Sequence, residues 1–211
     1  MCCKPGWFWC IYCTISSVVL FGFISSIIFW IVISPSSVKF YVTNVALTEF
    51  NLTNNNLYYN FKLNITARNP NNNIVVYYRR IIAIAWYKDN EFSYVSLAPF
   101  DQGHKNTTFL GPIVFKGNNM IKLGRKQLDE YSEETRLGIY EDLAVDLDVR
   151  IRAKFGRFRS GRFNPPVVQC RRLRIPLISS SNVNSSSTHT FSNKRCSSGS
   201  FFTDRDADAG D

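Results

Sequence analysis

Residues 143–155 read LAVDLDVRIRAKF, and their alternation decides the fold class. Leu143, Val145, Leu147, Val149 and Ile151 fall on one side; Ala144, Asp146, Asp148, Arg150 and Arg152 fall on the other. A period of two places successive side chains on opposite faces of a strand, so this run predicts a half-buried β-strand. Asp146 and Asp148 share its outer face. Two neighbouring carboxylates could serve acid–base chemistry, but beside Arg150 they read as solvated surface groups.

Working outward, the same pattern recurs in Asn60–Arg68, with Phe61, Leu63, Ile65 and Ala67 inward and Lys62, Asn64, Thr66 and Arg68 outward. Asn69-Pro70-Asn71-Asn72-Asn73 reads as a turn, because Pro fixes φ and Asn tolerates left-handed backbone. Ile74–Tyr78 and Ile81–Tyr87 are rich in β-branched and aromatic residues, and Asp89-Asn90 reads as a hairpin turn into Phe92–Leu97. Thr107–Phe115 follows the loop at 101–106, and Val167–Leu177 closes the set. Ile121–Leu137 is the helix candidate, stopped by Gly138. Glu130, Glu133 and Glu134 crowd its C-terminal end, where the macrodipole disfavours them, so a short or frayed helix is expected. Many short strands with turn signals predict an all-β protein, an immunoglobulin or fibronectin type III-like β-sandwich over residues 38–178. From Ser179 to Asp211 the chain turns to Ser, Asn and then Asp, and is expected to be a disordered polar tail.

Ahead of the sandwich, residues 7–33 read WFWCIYCTISSVVLFGFISSIIFWIVI without a charged side chain. About 20 helical residues cross a hydrocarbon core of roughly 30 Å, so one N-terminal transmembrane helix is expected. A secretory signal peptide has a much shorter apolar core and a small-residue cleavage site; Pro35 spoils the site here, and an uncleaved signal-anchor is the better reading. Trp7, Phe8 and Trp9 at one end and Trp30 at the other suit interfacial belts. Residues 1–6 are left as a cytosolic stub. Orientation rests on the sequons at Asn51, Asn64, Asn106 and Asn184, all after the apolar run, which favour an exoplasmic domain.

The balance is basic, 25 Lys+Arg against 16 Asp+Glu, a net charge of +9. An exoplasmic domain of that sign is drawn to acidic polysaccharide or lipid headgroups rather than nucleic acid. Arg150, Arg152, Arg171, Arg172 and Arg174 belong to two strand candidates joined through a turn between Gly156 and Gly161, and are expected to form an anion-binding face. The competing reading is a solvated edge whose arginines prevent sheet-to-sheet aggregation.

Cys2 and Cys3 sit at the cytosolic end of the apolar run and are palmitoylation candidates. Cys10 and Cys13 fall at bilayer depth, which argues against a zinc site. An oxidising compartment permits a Cys170–Cys196 bridge, yet Cys196 falls in the polar tail, and the residues leave the pairing open. Only His104 and His189 are present, neither at metal-ligand spacing, and no Gly-rich phosphate loop or nucleophile elbow appears. No enzyme, metal or cofactor is expected.

The ordered set of an N-terminal apolar span, Asn69-Pro70-Asn71, Gly103-His104-Lys105-Asn106-Thr107-Thr108 and Val168-Gln-Cys170-Arg-Arg-Leu-Arg-Ile-Pro176-Leu177 resembles the plant harpin-induced-like family, which includes the non-race-specific disease resistance proteins. The resemblance covers roughly residues 1–178. It implies an extracytosolic late-embryogenesis-abundant group 2 domain, a plasma-membrane location sometimes concentrated at plasmodesmata, a role in defence and hypersensitive responses, and no catalysis. The expected partners are the lipid bilayer and anionic cell-wall polysaccharide or other membrane proteins, in a membrane-to-wall contact. The rival reading is a module holding a lipid or small apolar ligand between its sheets. Asn69 is expected to cap its turn, and His104-Lys105 to lie in a surface loop.

Overall fold

A computed structural model describes residues 6–33, 35–178 and 192–207. The chain divides into two compact units, Met1–Ser36 and Ser37–Asp211.

The first unit is a helix, α1 (Trp7–Ile33), of 27 residues. It has no charged residue in its first or last turn and is apolar on every face. Thr14 and Ser25 turn their hydroxyls back onto the carbonyls of Ile11 and Gly22, which satisfies both groups within the helix. Among the described residues no helix is long and apolar enough to cross a membrane; the side chains of α1 described without a break are those of residues 11–27.

The second unit is built from two antiparallel sheets whose inner faces share one core. The first sheet runs β10 (Lys194–Arg195), β1 (Lys39–Thr53), β2 (Asn56–Arg68), β6 (Thr107–Met120). The second runs β4 (Asn90–Leu97), β3 (Ile74–Tyr87), β7 (Ile139–Phe155), β8 (Phe158–Arg159), with β5 (Phe100–Gln102) on β3 and β9 (Val168–Pro176) on β7. The period-two reading holds: Leu143, Val145, Leu147, Val149 and Ile151 of β7, and Phe61, Leu63, Ile65 and Ala67 of β2, are all in the core. Phe61 stacks on Phe115 across the first sheet, and Phe50 meets Tyr87, Phe92 and Tyr140 edge-on.

The structure refines several expectations. Ile74–Tyr87 is one strand, because a bulge between Tyr78 and Arg80 absorbs the two arginines that break its pattern. The hairpin turn is Lys88-Asp89 rather than Asp89-Asn90, with φ of 46° and 62°. The helix is α2 (Arg125–Leu137), ended by Gly138 at φ 68°. Its acidic residues are tolerated because the fold supplies partners. Lys88, itself buried, donates to Glu130 at 2.7 Å and Glu134 at 3.0 Å, and Tyr87 donates to Glu134 at 2.6 Å. Burial pulls the Lys88 pKa down, but the two carboxylates outweigh it and hold the group above its ordinary value.

Two expectations are corrected. Asp146 is not solvated: it is buried, with Arg171 2.9 Å away, while Asp148 pairs with Arg80 at 3.2 Å and Arg205 at 2.8 Å. The cause is β9, which lays Arg171 over that part of the outer face. Nor is the tail disordered throughout. Residues 179–191 and 208–211, with Asn184 and His189, lie outside the described residues, but 192–207 fold onto the sandwich. Lys194–Arg195 pair with Tyr41–Val42, Cys196 is bonded to Cys170, and Phe201 is buried against Phe40 and Tyr78. A mostly polar segment is thus held by one covalent bond and one aromatic anchor, neither of which shows in an average over composition.

Candidate functional site

The short connection from β2 to β3 must cross from one sheet to the other and bury its polar backbone as it does so. Asn69 makes this workable. It is fully buried; its Nδ2 donates to the carbonyls of Ile74 at 2.8 Å and Gly103 at 2.9 Å, and its Oδ1 accepts from the backbone N–H and Nδ2 of Asn71 at 3.1 and 3.0 Å. Its own N–H donates to Asn106, and the N–H of Lys105 donates to Asn71. The motif residues Asn69, Pro70, Asn71, Gly103 and Lys105 are therefore one structural knot tying 69–74 to 103–106. Asn69 does more than cap a turn. Gln102, which the sequence reading passed over, completes the knot: buried, it donates to the carbonyls of Ala67 at 2.7 Å and Asn106 at 3.3 Å and accepts from Tyr78 at 3.2 Å. Burial pushes the Tyr78 phenol well above its ordinary pKa. His104 and Lys105 are exposed beside the knot.

The five arginines expected on one anion-binding face are divided between two stretches of the second sheet. β9 pairs only with the first part of β7, ending where Leu147 faces Val168. Arg150 and Arg152 lie beyond that point, beside Arg80 and Tyr77 of β3. The extra β9 residue opposite Leu143–Val145 makes a bulge at Arg171–Arg172, where Arg172 takes φ 55°. Arg171 is held by Asp146 and by Asp89 at 3.8 Å, and Arg174 by Glu141 at 3.0 Å. The cationic residues without a carboxylate partner, among those described, include Arg150, Arg152, Lys154, Arg157, Arg159 and Arg162. These follow β7 toward its C-terminal end and continue around the β7–β8 turn.

Two surface clefts stand out among the described residues. One of about 720 Å³ is lined by Trp86, Asp89, Asp142, Arg171, Arg172 and Lys194. Arg171 sits over the Trp86 ring, and burial, with Arg172 nearby, lowers the Lys194 pKa. The other, about 420 Å³, is acidic, with Glu130, Glu133, Glu134 and Glu141 facing Arg174. Neither opens between the sheets, where Phe40, Phe61, Tyr78, Phe115 and Phe201 are buried, so neither favours an apolar ligand in the interior.

Asn51 and Asn106 are exposed and Asn64 half-buried, with Asn51 and Asn64 on the outer face of the first sheet. Asn64 Oδ1 stands close to Gly111, in a register irregularity between β2 and β6. Cys2 and Cys3 lie outside the described residues; Cys13 is a free, exposed thiol on α1.

A late embryogenesis abundant protein family model matches residues 64–170, from the middle of β2 into β9. NDR1/HIN1-like protein 10 of Arabidopsis thaliana is 39% identical over 82% of this chain and 76% of its own length. NDR1/HIN1-like protein 3 of the same plant is 39% identical over 86% and 76%, and protein 2 is 36% identical over 73% and 63%. With this likeness extending across the sandwich that the Asn69 knot holds together, the chain belongs to the NDR1/HIN1-like family and carries a late embryogenesis abundant domain.

Proposed function

We propose that this protein is a single-pass plasma-membrane fixture: α1 as transmembrane signal-anchor, with a cytosolic N-terminal side, and an exoplasmic, non-catalytic sandwich of immunoglobulin or fibronectin type III style. Its role is in plant defence and the hypersensitive response, at the boundary between membrane and wall, including plasmodesmata. The observation that carries this reading is the character of α1. At 1.5 Å per residue its 27 residues extend about 40 Å. Val18, Phe21 and Phe23 are 72%, 75% and 65% exposed, with no polar face to balance them. A helix apolar all round belongs inside protein or inside lipid, and the Thr14 and Ser25 hydroxyls, bonded to their own backbone, suit this one to the second. The defence role rests on membership of the family and on what the motif resemblance implies.

Alkaline carbonate extraction of plant membranes tests the anchor. The full chain is expected to stay in the pellet, and a chain lacking residues 7–33 to move to the supernatant. Release of the full chain would overturn the reading.

A further inference from the structure

We propose that the cleft at the β9 bulge binds an acidic oligosaccharide, a chain of uronate sugars in which carboxylates alternate with free hydroxyls. This rests on the exoplasmic reading above, which decides where the domain meets such a polymer.

The cleft, of about 720 Å³, falls within the roughly 300–1,000 Å³ of ligand sites. Its lining converges from distant parts of the chain: Trp86 on β3, Asp89 in the β3–β4 turn, Asp142 near the start of β7, Arg171 and Arg172 in the β9 bulge, and Lys194 on β10. Two ties hold these parts together. The N–H of Lys88 donates to the carbonyl of Asp142, and Lys194 Nζ donates to the carbonyl of Arg172.

β9 and β10 supply cations, and the β3–β4 turn and β7 supply carboxylates. Arg171 is fixed, bonded to Asp146 at 2.9 Å and lying over the Trp86 ring at 5.8 Å from its centre. Arg172 and Lys194 have no carboxylate partner among the described residues. They are close enough that the Arg172 charge joins burial in lowering the Lys194 pKa. Arg172 also takes a left-handed φ of 55°, and strained backbone of this kind concentrates at binding sites. The Trp86 indole N–H is shielded from solvent and has no hydrogen-bond partner among the described residues, so the lining retains an unused donor.

The mixture selects the ligand. Guanidinium and ammonium groups match a carboxylate, while Asp89 and Asp142 are acceptors only and suit hydroxyl donors. A uronate sugar carries both on each ring. Peptide capture uses an open sheet edge or an apolar groove; here the edge carbonyl of Arg172 is taken by Lys194, and the apolar lining is Trp86 and Ala144.

The test uses the full chain in neutral detergent micelles. Trp7→Phe, Trp9→Phe and Trp30→Phe leave Trp86, of the chain's four tryptophans, as the single fluorescent reporter. Tetragalacturonate is expected to shift its emission saturably. The fully methyl-esterified tetramer should bind about tenfold more weakly or worse, since the ester removes the charge-assisted hydrogen bonds. Arg172→Gln with Lys194→Gln should cost a similar factor. Arg157→Gln with Arg159→Gln makes the same change of charge on the β7–β8 hairpin, which adjoins Ile74 through Phe155. Ile74 to Trp86 along β3 is roughly 40 Å at about 3.3 Å per residue, far beyond the Debye length of about 8 Å, so this pair should leave affinity unchanged. Asp142→Ala, at an exposed position whose carbonyl still accepts from Lys88, should weaken binding by removing a hydroxyl acceptor. Tighter binding by Asp142→Ala, or equal losses from the two double variants, would mean only diffuse attraction to a basic protein and overturn the site. Unchanged Trp86 emission, or equal binding of the ester, would overturn it as well. Tetraglutamate binding as tightly as the sugar would mark a site for acidic peptide and overturn the sugar assignment. None of these results bears on the anchor, which carbonate extraction decides.

Discussion

Replacing Leu147 with Asp is expected to abolish the folded domain. Leu147 is fully buried at the middle of β7, facing Ala83 of β3 on one side and Val168 of β9 on the other. Losing the side chain alone costs about 2–5 kcal/mol, and an unpartnered carboxylate in that position adds to it. The sum approaches the roughly 5–15 kcal/mol that holds a typical domain together. Near-ultraviolet circular dichroism and protease resistance of the full-length variant provide the check. The neighbouring Asp146→Asn should change little at neutral pH, for a reason the alternation alone does not supply. Burial raises the Asp146 pKa, and Arg171 offsets this only in part. A carboxyl whose folded pKa is raised binds its proton more tightly when folded, so its ionised form detracts from stability at neutral pH and the detraction fades as pH falls through the folded value. Removing the charge therefore costs little. Comparable effects from the two substitutions would mean the strand faces are wrongly assigned.

Asn69→Ala should lower stability by about 2–6 kcal/mol, since it strands the carbonyls of Ile74 and Gly103, at about 1–3 kcal/mol for each buried unsatisfied group. For a domain of this size each kcal/mol lowers Tm by about 2–4 °C. Asn69→Asp separates a cap from a staple. Aspartate keeps the acceptor toward Asn71 but turns a carboxylate on two carbonyls, so it should be at least as damaging as alanine. His104→Ala, on the exposed side of the same knot, should stay within about 0.5 kcal/mol. Thermal melts of the three variants give the answer; a tolerated aspartate would reduce Asn69 to a turn cap.

The strands that could be read from the chain are those with unbroken alternation. β2 keeps period two across its length and β7 from Leu143 onward, and their inward residues are in the core. β1 hides because it is bulged twice, between Val42 and Asn44 and between Leu47 and Glu49. Its buried residues Phe40, Val42, Leu47 and Phe50 therefore fall at intervals that match neither strand nor helix. The folded part of the tail was hidden differently. Local composition measures how much apolar surface a segment can bury by itself, whereas Cys196 and Phe201 attach theirs to partners far away in sequence.

The candidate site was legible as a set of residue types but not as an arrangement. The density of arginine in 150–174 is plain in the chain. Which arginines remain unpaired depends on where β9 ends against β7 and on the bulge at Arg171–Arg172, both long-range features. The turn between Gly156 and Gly161 was legible, and the structure narrows it to Gly156–Arg157. The motif asparagine at 69 was visible, but its partners Ile74, at the start of β3, and Gly103, in the loop after β5, come from two separate places in the chain, so only the assembled fold reveals a staple.

The central claim is that α1 crosses the membrane and delivers the sandwich to the exoplasmic side. The direct measurement is protease and endoglycosidase treatment of intact plant protoplasts expressing the chain with a tag at each end. The account predicts that external protease removes the C-terminal tag and spares the N-terminal one, and that endoglycosidase increases gel mobility through loss of glycans at sequons such as the exposed Asn51 and Asn106. A C-terminal tag protected in sealed cells and lost only after permeabilisation, with mobility unchanged by the glycosidase, would contradict it.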